Sequence, residues 1–120
     1  MSQRPVLVVE DNVETRDVLV RILDLRGHET ATADDGLDAL SYLRSGGLPS
    51  VIILDLRMPN MDGFQFLRAL KADPRWADIP VIIFSAFPPD EAEGIVAVVR
   101  KGSASPDTLL DAVADAVNRQ

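Results

Sequence analysis

The stretch "SVIILDLRMPNMDG", residues 50–63, sets four apolar residues, Val51 to Leu54, directly before an acid, Asp55. A run that is apolar at every position predicts a strand buried on both faces, as in a parallel sheet. An unpaired carboxylate is costly to bury. An acid at the end of such a strand therefore needs a cap, a cation or a chemical role.

Apolar runs of this kind alternate with segments of helical periodicity along the whole chain. Strands are predicted at 5–9, 28–33, 51–54, 80–84 and 95–99, and helices at 11–27, 34–47, 61–73 and 105–120. The second strand is short and more polar, which favours a position near a sheet edge. The alternation predicts an α/β fold, with a parallel five-stranded sheet covered on both faces by helices and with right-handed crossovers. Among such doubly wound folds we expect the flavodoxin-like (βα)5 three-layer sandwich, whose strand order is 2-1-3-4-5.

The predicted helices carry capping signals and apolar core faces. Asp11 or Asn12 suits the N-cap of the first helix, Gly27 suits its C′ position, and Ser105 suits the N-cap of the last helix. Pro74 is expected to end the third helix. The residues expected to face the core are Val18, Leu19, Ile22 and Leu23 in the first helix, Leu37, Leu40 and Leu43 in the second, and Leu109, Leu110, Val113 and Val117 in the last.

The connection between the fourth and fifth strands is unusually short. Only "AFPPDEAEG", residues 86–94, separates Ser85 from Ile95, and it contains two prolines. A parallel crossover usually needs about a dozen residues or more. We therefore expect a shortened fourth helix, which would leave part of the sheet or a helix groove uncovered there.

Length and composition narrow the classes of function. With 120 residues, the chain is expected to form one domain, residues 1–120. It has no cysteine, which excludes disulfides and thiol chemistry, and its apolar runs are too short for a signal peptide or a membrane span. These features predict a cytoplasmic protein without a membrane partner. The formal net charge of −7 argues against nucleic-acid binding and is compatible with cations and basic protein surfaces.

Polar residues follow the predicted strands where each one ends. Glu10 and Asp11 follow the first strand, Asp55 the third, Ser85 the fourth, and Lys101 comes just after the fifth. Taken singly, each has an ordinary role as a cap, a turn residue or a solvated charge. Because the carboxyl ends of parallel strands share one edge, where ligands bind at the switch in strand order, the five together predict a site.

The charges of this group indicate its chemistry. Three clustered carboxylates repel one another, so that either one keeps a proton or a cation binds. Mg²⁺ suits such oxygen ligands and is commonly paired with a phosphoryl group. Asp55 is then placed to attack phosphorus and form an acyl phosphate, while the metal and Lys101 neutralise the phosphoryl oxygens. We therefore predict that Asp55 is a phosphoryl acceptor.

The sequence resembles the receiver domain of bacterial two-component response regulators along its whole length. The resemblance rests on "VLVVEDN" (6–12), "ATADDGLDAL" (31–40), "VIILDLRMPNMDG" (51–63), "PVIIFSA" (80–86) and Lys101. It implies that Asp55 is phosphorylated by a phosphohistidine on a sensor histidine kinase or a histidine phosphotransfer protein. It also implies that Glu10, Asp11, Asp55 and the backbone carbonyl of Arg57 hold Mg²⁺, and that Ser85 and Lys101 contact the phosphoryl group.

The chain departs from the family pattern in the region that receivers use for output. Val98 stands where the family usually has an aromatic switch residue, and Gly102 stands where a proline usually follows the lysine. The loop that contains Phe87 is a candidate for carrying the movement instead. We expect the output to be binding of another protein, as a relay, a phosphate sink or an allosteric effector, by a monomer or a weak homodimer.

Two other functions fit parts of the sequence. A pseudo-receiver, which binds proteins without phosphorylation, is favoured by the altered output region and opposed by the complete set of acids, serine and lysine. A phosphatase with an aspartate nucleophile typically carries a further acid two residues after it, and here that residue is Arg57. We therefore expect no catalysis beyond the protein's own phosphorylation and dephosphorylation.

Overall fold

A computed structural model describes residues 4–58, 60–86, 94–102 and 105–118. Within these ranges, five strands alternate with helices except between the last two strands, where residues 87–93 lie outside the described chain. The expected shortened helix and Phe87 fall in that gap. The elements are β1 (Val6–Val9), α1 (Val13–Leu25), β2 (Thr30–Ala33), α2 (Gly36–Arg44), β3 (Val51–Leu54), α3 (Gly63–Ala72), β4 (Val81–Ser85), β5 (Ala97–Arg100) and α4 (Pro106–Asn118).

The five strands form one parallel sheet of order β2-β1-β3-β4-β5. The all-apolar strands β1 and β3 lie inside the sheet and are buried along their whole length. The more polar β2 is at an edge, where one side of its backbone needs no strand partner. The α/β class and the strand order expected from the sequence are therefore confirmed.

The core consists of two apolar clusters, one on each face of the sheet. Alternate residues of each strand point to opposite faces, so that Leu7 joins one cluster and Val8 the other. Helices α2 and α3 cover the first cluster, whose largest fully buried side chain is Phe66. Helices α1 and α4 cover the second cluster through residues such as Leu23 and Val113. The result is the three-layer sandwich.

The ends of α1 follow the capping rules. The Asn12 side chain accepts a hydrogen bond from the Thr15 N–H at 2.9 Å, so Asn12 is the N-cap. At the other end, Gly27 has φ +82°, and its N–H donates to the Asp24 carbonyl at 3.0 Å. The His28 N–H donates to the Leu23 carbonyl at 3.1 Å, which completes a Schellman motif. Residue 27 therefore needs the left-handed conformation that glycine adopts without strain.

Several local expectations were wrong. Leu37 is 49% exposed, because the buried stripe of α2 runs through Gly36, Ala39, Leu40 and Leu43 instead. Val18 is 59% exposed and lines an apolar cavity of about 320 Å³ between α1 and α4. Strand β5 begins two residues later than expected, and both β4 and β5 include one further polar residue at their ends, Ser85 and Arg100.

Among the described helices, none combines the length and the apolar character that crossing a membrane requires.

Candidate functional site

Two neighbouring strands bring three acids together at the carboxyl edge of the sheet. Strands β1 and β3 pair in register, with Val9 opposite Leu54, and the Asp55 N–H donates to the Val9 carbonyl at 3.1 Å. Asp55 therefore lies level with the residues that follow β1. Glu10, Asp11 and Asp55 each offer a carboxylate oxygen, and these oxygens all lie within 4.8 Å of one another.

The lysine that follows β5 reaches this acid cluster. The Lys101 Nζ lies 3.2 Å from Asp55 Oδ2 and forms an ion pair with Glu10 Oε1. The Lys101 N–H donates to the Ser85 carbonyl at 2.9 Å, so that pairing of β4 with β5 holds the lysine at this edge. Its ammonium also lies 5.6 Å from the centre of the Phe84 ring, a cation–π distance.

Burial and charge shift the pKa values in the cluster. Glu10 is 1% exposed, and this burial raises its pKa to about 7. The hydrogen bond from Lys101 opposes that shift, and the charge of Asp55 adds to it. Burial lowers the pKa of Lys101, but its contacts with Glu10 and Asp55 outweigh this effect and raise it. The lysine therefore stays charged, and it is one ammonium in a cluster with three acids.

The loop after Asp55 and the end of β4 border the cluster. The Arg57 N–H donates to Asp55 Oδ1 at 3.3 Å, which orients the carboxylate. Ser85 is buried as the last residue of β4, on the strand next to Asp55. The structure thus brings Glu10, Asp11, Asp55 and Lys101 together and places Ser85 beside them. The roles assigned to the Ser85 hydroxyl and to the Arg57 carbonyl stay predictions.

Two of the departures from the receiver pattern, Val98 and Gly102, lie on either side of Lys101. Val98 is on β5 and is 40% exposed. Gly102 has φ +82°, whereas the proline ring holds φ near −65°. A proline therefore cannot replace Gly102 in this conformation, and the turn after the lysine is built on glycine.

The acid cluster has the donor set that suits a divalent cation. Its three carboxylates and one ammonium sum to −2 when all are ionised (−3 + 1), the charge that one Mg²⁺ balances. Mg²⁺ prefers oxygen ligands and usually keeps several waters, so it needs direct contact with only one or two of the carboxylates. Glu10, Asp11 and Asp55 therefore fit a magnesium ion.

Four residues without a predicted role form contacts around the loops of this site: Arg16, Asp34, Asp35 and Asn60. The Arg16 Nη1 donates to the Glu10 main-chain carbonyl at 3.1 Å and also pairs with Asp34. The Asn60 side-chain amide donates to Asp35 Oδ2 at 2.7 Å. The acid pair in "ATADDGLDAL" was the available signal, but sequence spacing does not indicate which distant groups these two carboxylates contact.

Comparison with known proteins identifies the family. The profile of the response regulator receiver domain matches residues 6–105. A 14.6 kDa uncharacterized protein of Leptolyngbya boryana is 33% identical over 91 residues, which cover 76% of this chain and 69% of that protein. The response regulator PleD of Caulobacter vibrioides is 42% identical over 87 residues, which cover 72% of this chain and only 19% of PleD.

Solved structures agree with this result. The signal receiver domain of a signal transduction histidine kinase from Syntrophus aciditrophicus superposes with a TM-score of 0.87 at 28% identity. The match covers 96% of this chain and 90% of that one. Sequence profile, strand order and the acidic cluster point in the same direction. The chain belongs to the response regulator receiver domain family.

Proposed function

We propose that this protein accepts a phosphoryl group on Asp55 from a phosphohistidine of a sensor histidine kinase or a histidine phosphotransfer protein. The observation that carries the proposal is the setting of Asp55. Asp55 is 6% exposed at the end of β3, with the Lys101 ammonium 3.2 Å from its carboxylate and two further acids in the same cluster. A buried acid with a cation and a candidate metal site beside it is equipped as a nucleophile toward phosphorus.

In the proposed reaction, a carboxylate oxygen of Asp55 attacks the phosphorus atom of the phosphohistidine. A P–O bond forms, the P–N bond breaks, and the electron pair of that bond stays on the imidazole nitrogen, which takes up a proton. The product is an acyl phosphate on Asp55. Lys101 already contacts Asp55 and Glu10, and it moves onto a phosphoryl oxygen as negative charge arrives. The Ser85 hydroxyl donates a hydrogen bond to another phosphoryl oxygen.

Mg²⁺ would be held by Glu10, Asp11, Asp55 and the backbone carbonyl of Arg57, and it would neutralise charge on the transferring group. The backbone and side chains of this site prepare that reaction in three ways. The Arg57 N–H orients the nucleophile, burial of Glu10 and Asp55 excludes water, and Lys101 supplies the nearest positive charge.

The consequence of phosphorylation is binding to another protein. Residues 1–120 act as one cytoplasmic receiver domain, which is a signalling module and catalyses only its own phosphorylation and dephosphorylation. The acyl phosphate adds between one and two negative charges at the sheet edge. Movement of Ser85 toward the phosphoryl group then favours one of two packings of the neighbouring surface.

The test is the intact mass of the protein after incubation with acetyl phosphate, with and without Mg²⁺. We expect wild type to gain one phosphoryl group only when Mg²⁺ is present, and Asp55→Asn to gain none. Asp62→Asn is the matched control, because asparagine keeps the N-cap that Asp62 provides to α3, and it should be phosphorylated like wild type. A folded wild-type sample that gains no mass would instead favour the pseudo-receiver.

A further inference from the structure

The turn that leads from β2 into α2, which we call the bridging turn, consists of Asp34, Asp35 and Gly36, the first residue of α2. It is part of the motif "ATADDGLDAL", and none of its residues belongs to the acid cluster. It is nevertheless linked to both loops that carry the cluster: through Arg16 of α1 to the loop after β1, which holds Glu10 and Asp11, and directly to the loop after β3, which begins at Asp55. None of the hydrogen bonds in these links is part of the pairing between strands.

The first contact runs through Arg16 in the first turns of α1. Its guanidinium Nη1 donates to the main-chain carbonyl of Glu10 at 3.1 Å and pairs with Asp34 Oδ1. The Arg16 side chain is 16% exposed, whereas Asp34 is mostly exposed. The Asp34 N–H in turn donates to Asp38 Oδ2 at 2.9 Å, which ties this end of the turn to α2. The arginine therefore fastens the backbone of the first acidic loop to the bridging turn.

The second contact is made by Asp35 and Gly36. Asp35 Oδ1 caps α2 by accepting from the Asp38 N–H at 2.8 Å, and Oδ2 accepts from the Asn60 amide at 2.7 Å. The Gly36 N–H donates to the Met61 carbonyl at 3.2 Å, and a Cβ at Gly36 would lie 2.7 Å from Met61 Cγ. This end of the turn is thus packed tightly against the loop after β3.

The position of β2 makes these contacts informative. It pairs with β1 and lies two strands away from β3, so the sheet does not join the bridging turn to the loop that begins at Asp55. Mg²⁺ demands near-ideal octahedral geometry, and its proposed ligands come from two separate loops. Groups that only orient such ligands typically change metal affinity by about 10- to 100-fold.

We propose that the bridging turn sets the separation of the two acidic loops, so that Arg16, Asp35 and Asn60 act as positioning residues for the magnesium site. None of the three touches the acceptor carboxylate or provides a carboxylate of the cluster. This inference rests on the proposed function, because it concerns the metal and the reaction assigned to Asp55 there.

The test measures Mg²⁺ affinity directly, by calorimetric titration of protein freed of metal with a chelator. Arg16→Met removes the guanidinium and keeps an apolar stem. Asp35→Asn keeps the N-cap oxygen but sets an amide nitrogen toward Asn60. Asn60→Gly removes the other half of the same bond and suits the left-handed backbone there, where φ is +63°. Matched controls are Arg75→Met and Asp73→Asn, which break a similar ion pair outside the site.

We expect each positioning variant to bind Mg²⁺ about ten-fold more weakly than wild type, and the controls to bind like wild type. Because Asp35 and Asn60 share one bond, their double variant should bind no more weakly than Asp35→Asn alone. Phosphorylation by acetyl phosphate should need more Mg²⁺ for half-maximal rate, with the rate at saturating Mg²⁺ little changed. Thermal unfolding in chelator verifies that each variant is folded.

The possible failures are distinguishable. Unchanged Mg²⁺ affinity in the three positioning variants, with normal binding and phosphorylation of wild type, overturns the positioning role and leaves the proposed function intact. Equal weakening in variants and controls also overturns it, because the effect would then be general. A folded wild type that neither binds Mg²⁺ nor gains a phosphoryl group overturns the proposed function and this inference together.

Discussion

The two ends of the sheet hold charged groups in opposite ways. At the carboxyl end, Glu10 and Asp55 are buried and share one lysine, Lys101. At the amino end, where α3 turns back toward β4, Asp73 and Arg75 form an ion pair at 2.7 Å. The Arg75 side chain is 68% exposed and also lies 4.6 Å from the centre of the Trp76 ring. Two of the acids that contact Lys101 are thus buried at the carboxyl end, whereas the arginine of the ion pair at the amino end lies mostly in solvent.

The difference in burial determines how much each group of charges contributes to stability. Exposed ion pairs contribute little to stability, because water and salt screen them. Buried charges lose hydration and stay tolerable only when they are paired and hydrogen-bonded. In the described part of the chain, every buried side-chain nitrogen or oxygen has a hydrogen-bond partner, yet the carboxyl end still holds more acids than cations. A costly arrangement of this kind is typical of a functional site, which keeps it at the expense of stability.

The largest difference between the ends should appear when each loses its cation. Lys101→Met leaves Glu10 and Asp55 buried without a positive partner, and we expect the metal-free protein to lose about 3 kcal/mol of unfolding free energy, the low end for broken buried pairs because Lys101 is 22% exposed. Arg75→Met, the same exchange at the other end, should change stability very little. Urea unfolding in chelator measures both, and equal losses would contradict the contrast.

Replacing a glycine by alanine should also destabilise the carboxyl end more than the amino end, but by a smaller margin. A Cβ at Gly63 would lie 2.5 Å from the Asp55 carbonyl oxygen and 2.7 Å from Leu56 Cα, both backbone atoms. Gly63→Ala should therefore cost about 2–3 kcal/mol through overpacking, and it should also displace the acceptor residue. Gly27, near the amino end, has no atom within 4 Å of such a Cβ, so Gly27→Ala should cost only about 1 kcal/mol for its left-handed backbone.

Urea unfolding of the two alanine variants checks this pair, and phosphorylation by acetyl phosphate adds a second readout. Gly63→Ala should slow phosphorylation, whereas Gly27→Ala should leave its rate unchanged. A larger stability loss in Gly27→Ala would mean that the loop after Asp55 gives way easily, against the tight packing seen here.

The smallest effect on stability is expected in acid. Asp35 and Asp73 both have lowered pKa values, but Asp35 is buried and Asp73 is partly exposed. The Asn60 amide and then the Asp38 N–H lower the pKa of Asp35 below its ordinary value of 3.8, and Arg75 does the same for Asp73. A folded-state pKa below the unfolded one stabilises the protein above the unfolded value. That contribution is lost as pH falls through the folded value. Both aspartates should therefore contribute to a loss of stability on going from pH 5 to pH 3.

Salt should distinguish the contribution of Asp35 from that of Asp73, because it screens exposed ion pairs more than buried groups. Unfolding of wild type, Asp35→Asn and Asp73→Asn should be compared at pH 5 and pH 3, in low salt and in 1 M salt. We expect Asp35→Asn to lose less stability in acid than wild type in both salts. Asp73→Asn should differ from wild type in low salt only. If instead Asp73→Asn differed from wild type in both salts and Asp35→Asn in low salt only, the expected difference between the two aspartates would be wrong.

Much of the fold could be predicted from the sequence. Periodicity and polarity predicted the five strands, their parallel sheet and the edge position of β2, and the flavodoxin-like order expected for such a sheet is the one observed. Helix α3 ends before Pro74 as expected, and of the two candidate caps of α1, Asp11 and Asn12, the structure shows Asn12. The errors lay where a local pattern is ambiguous. Leu37 fits a helical stripe beside the one that α2 buries, and Ile95 and Val96 are apolar although β5 begins at Ala97.

The candidate site was predictable in part. Placing Glu10, Asp11, Asp55, Ser85 and Lys101 at strand ends was enough to expect them at one edge, since parallel strands all end there. The sequence did not indicate that Lys101 contacts Glu10 as well as Asp55, or that the bridging turn is linked to both acidic loops, to the first of them through Arg16. These contacts depend on the directions of side chains in loops. Loops have no repeating pattern, so the sequence does not predict those directions.

By itself, then, the sequence determined the elements, their buried faces and the acids that follow the strands, because such signals act between residues a few positions apart. Only the tertiary structure decided which groups meet across elements: Lys101 with Glu10, 91 residues away, Arg16 with the Glu10 carbonyl, and Asp35 with Asn60. Strand order and register set these distances, and a carboxylate in the sequence does not reveal which distant donor it will face once the sheet has formed.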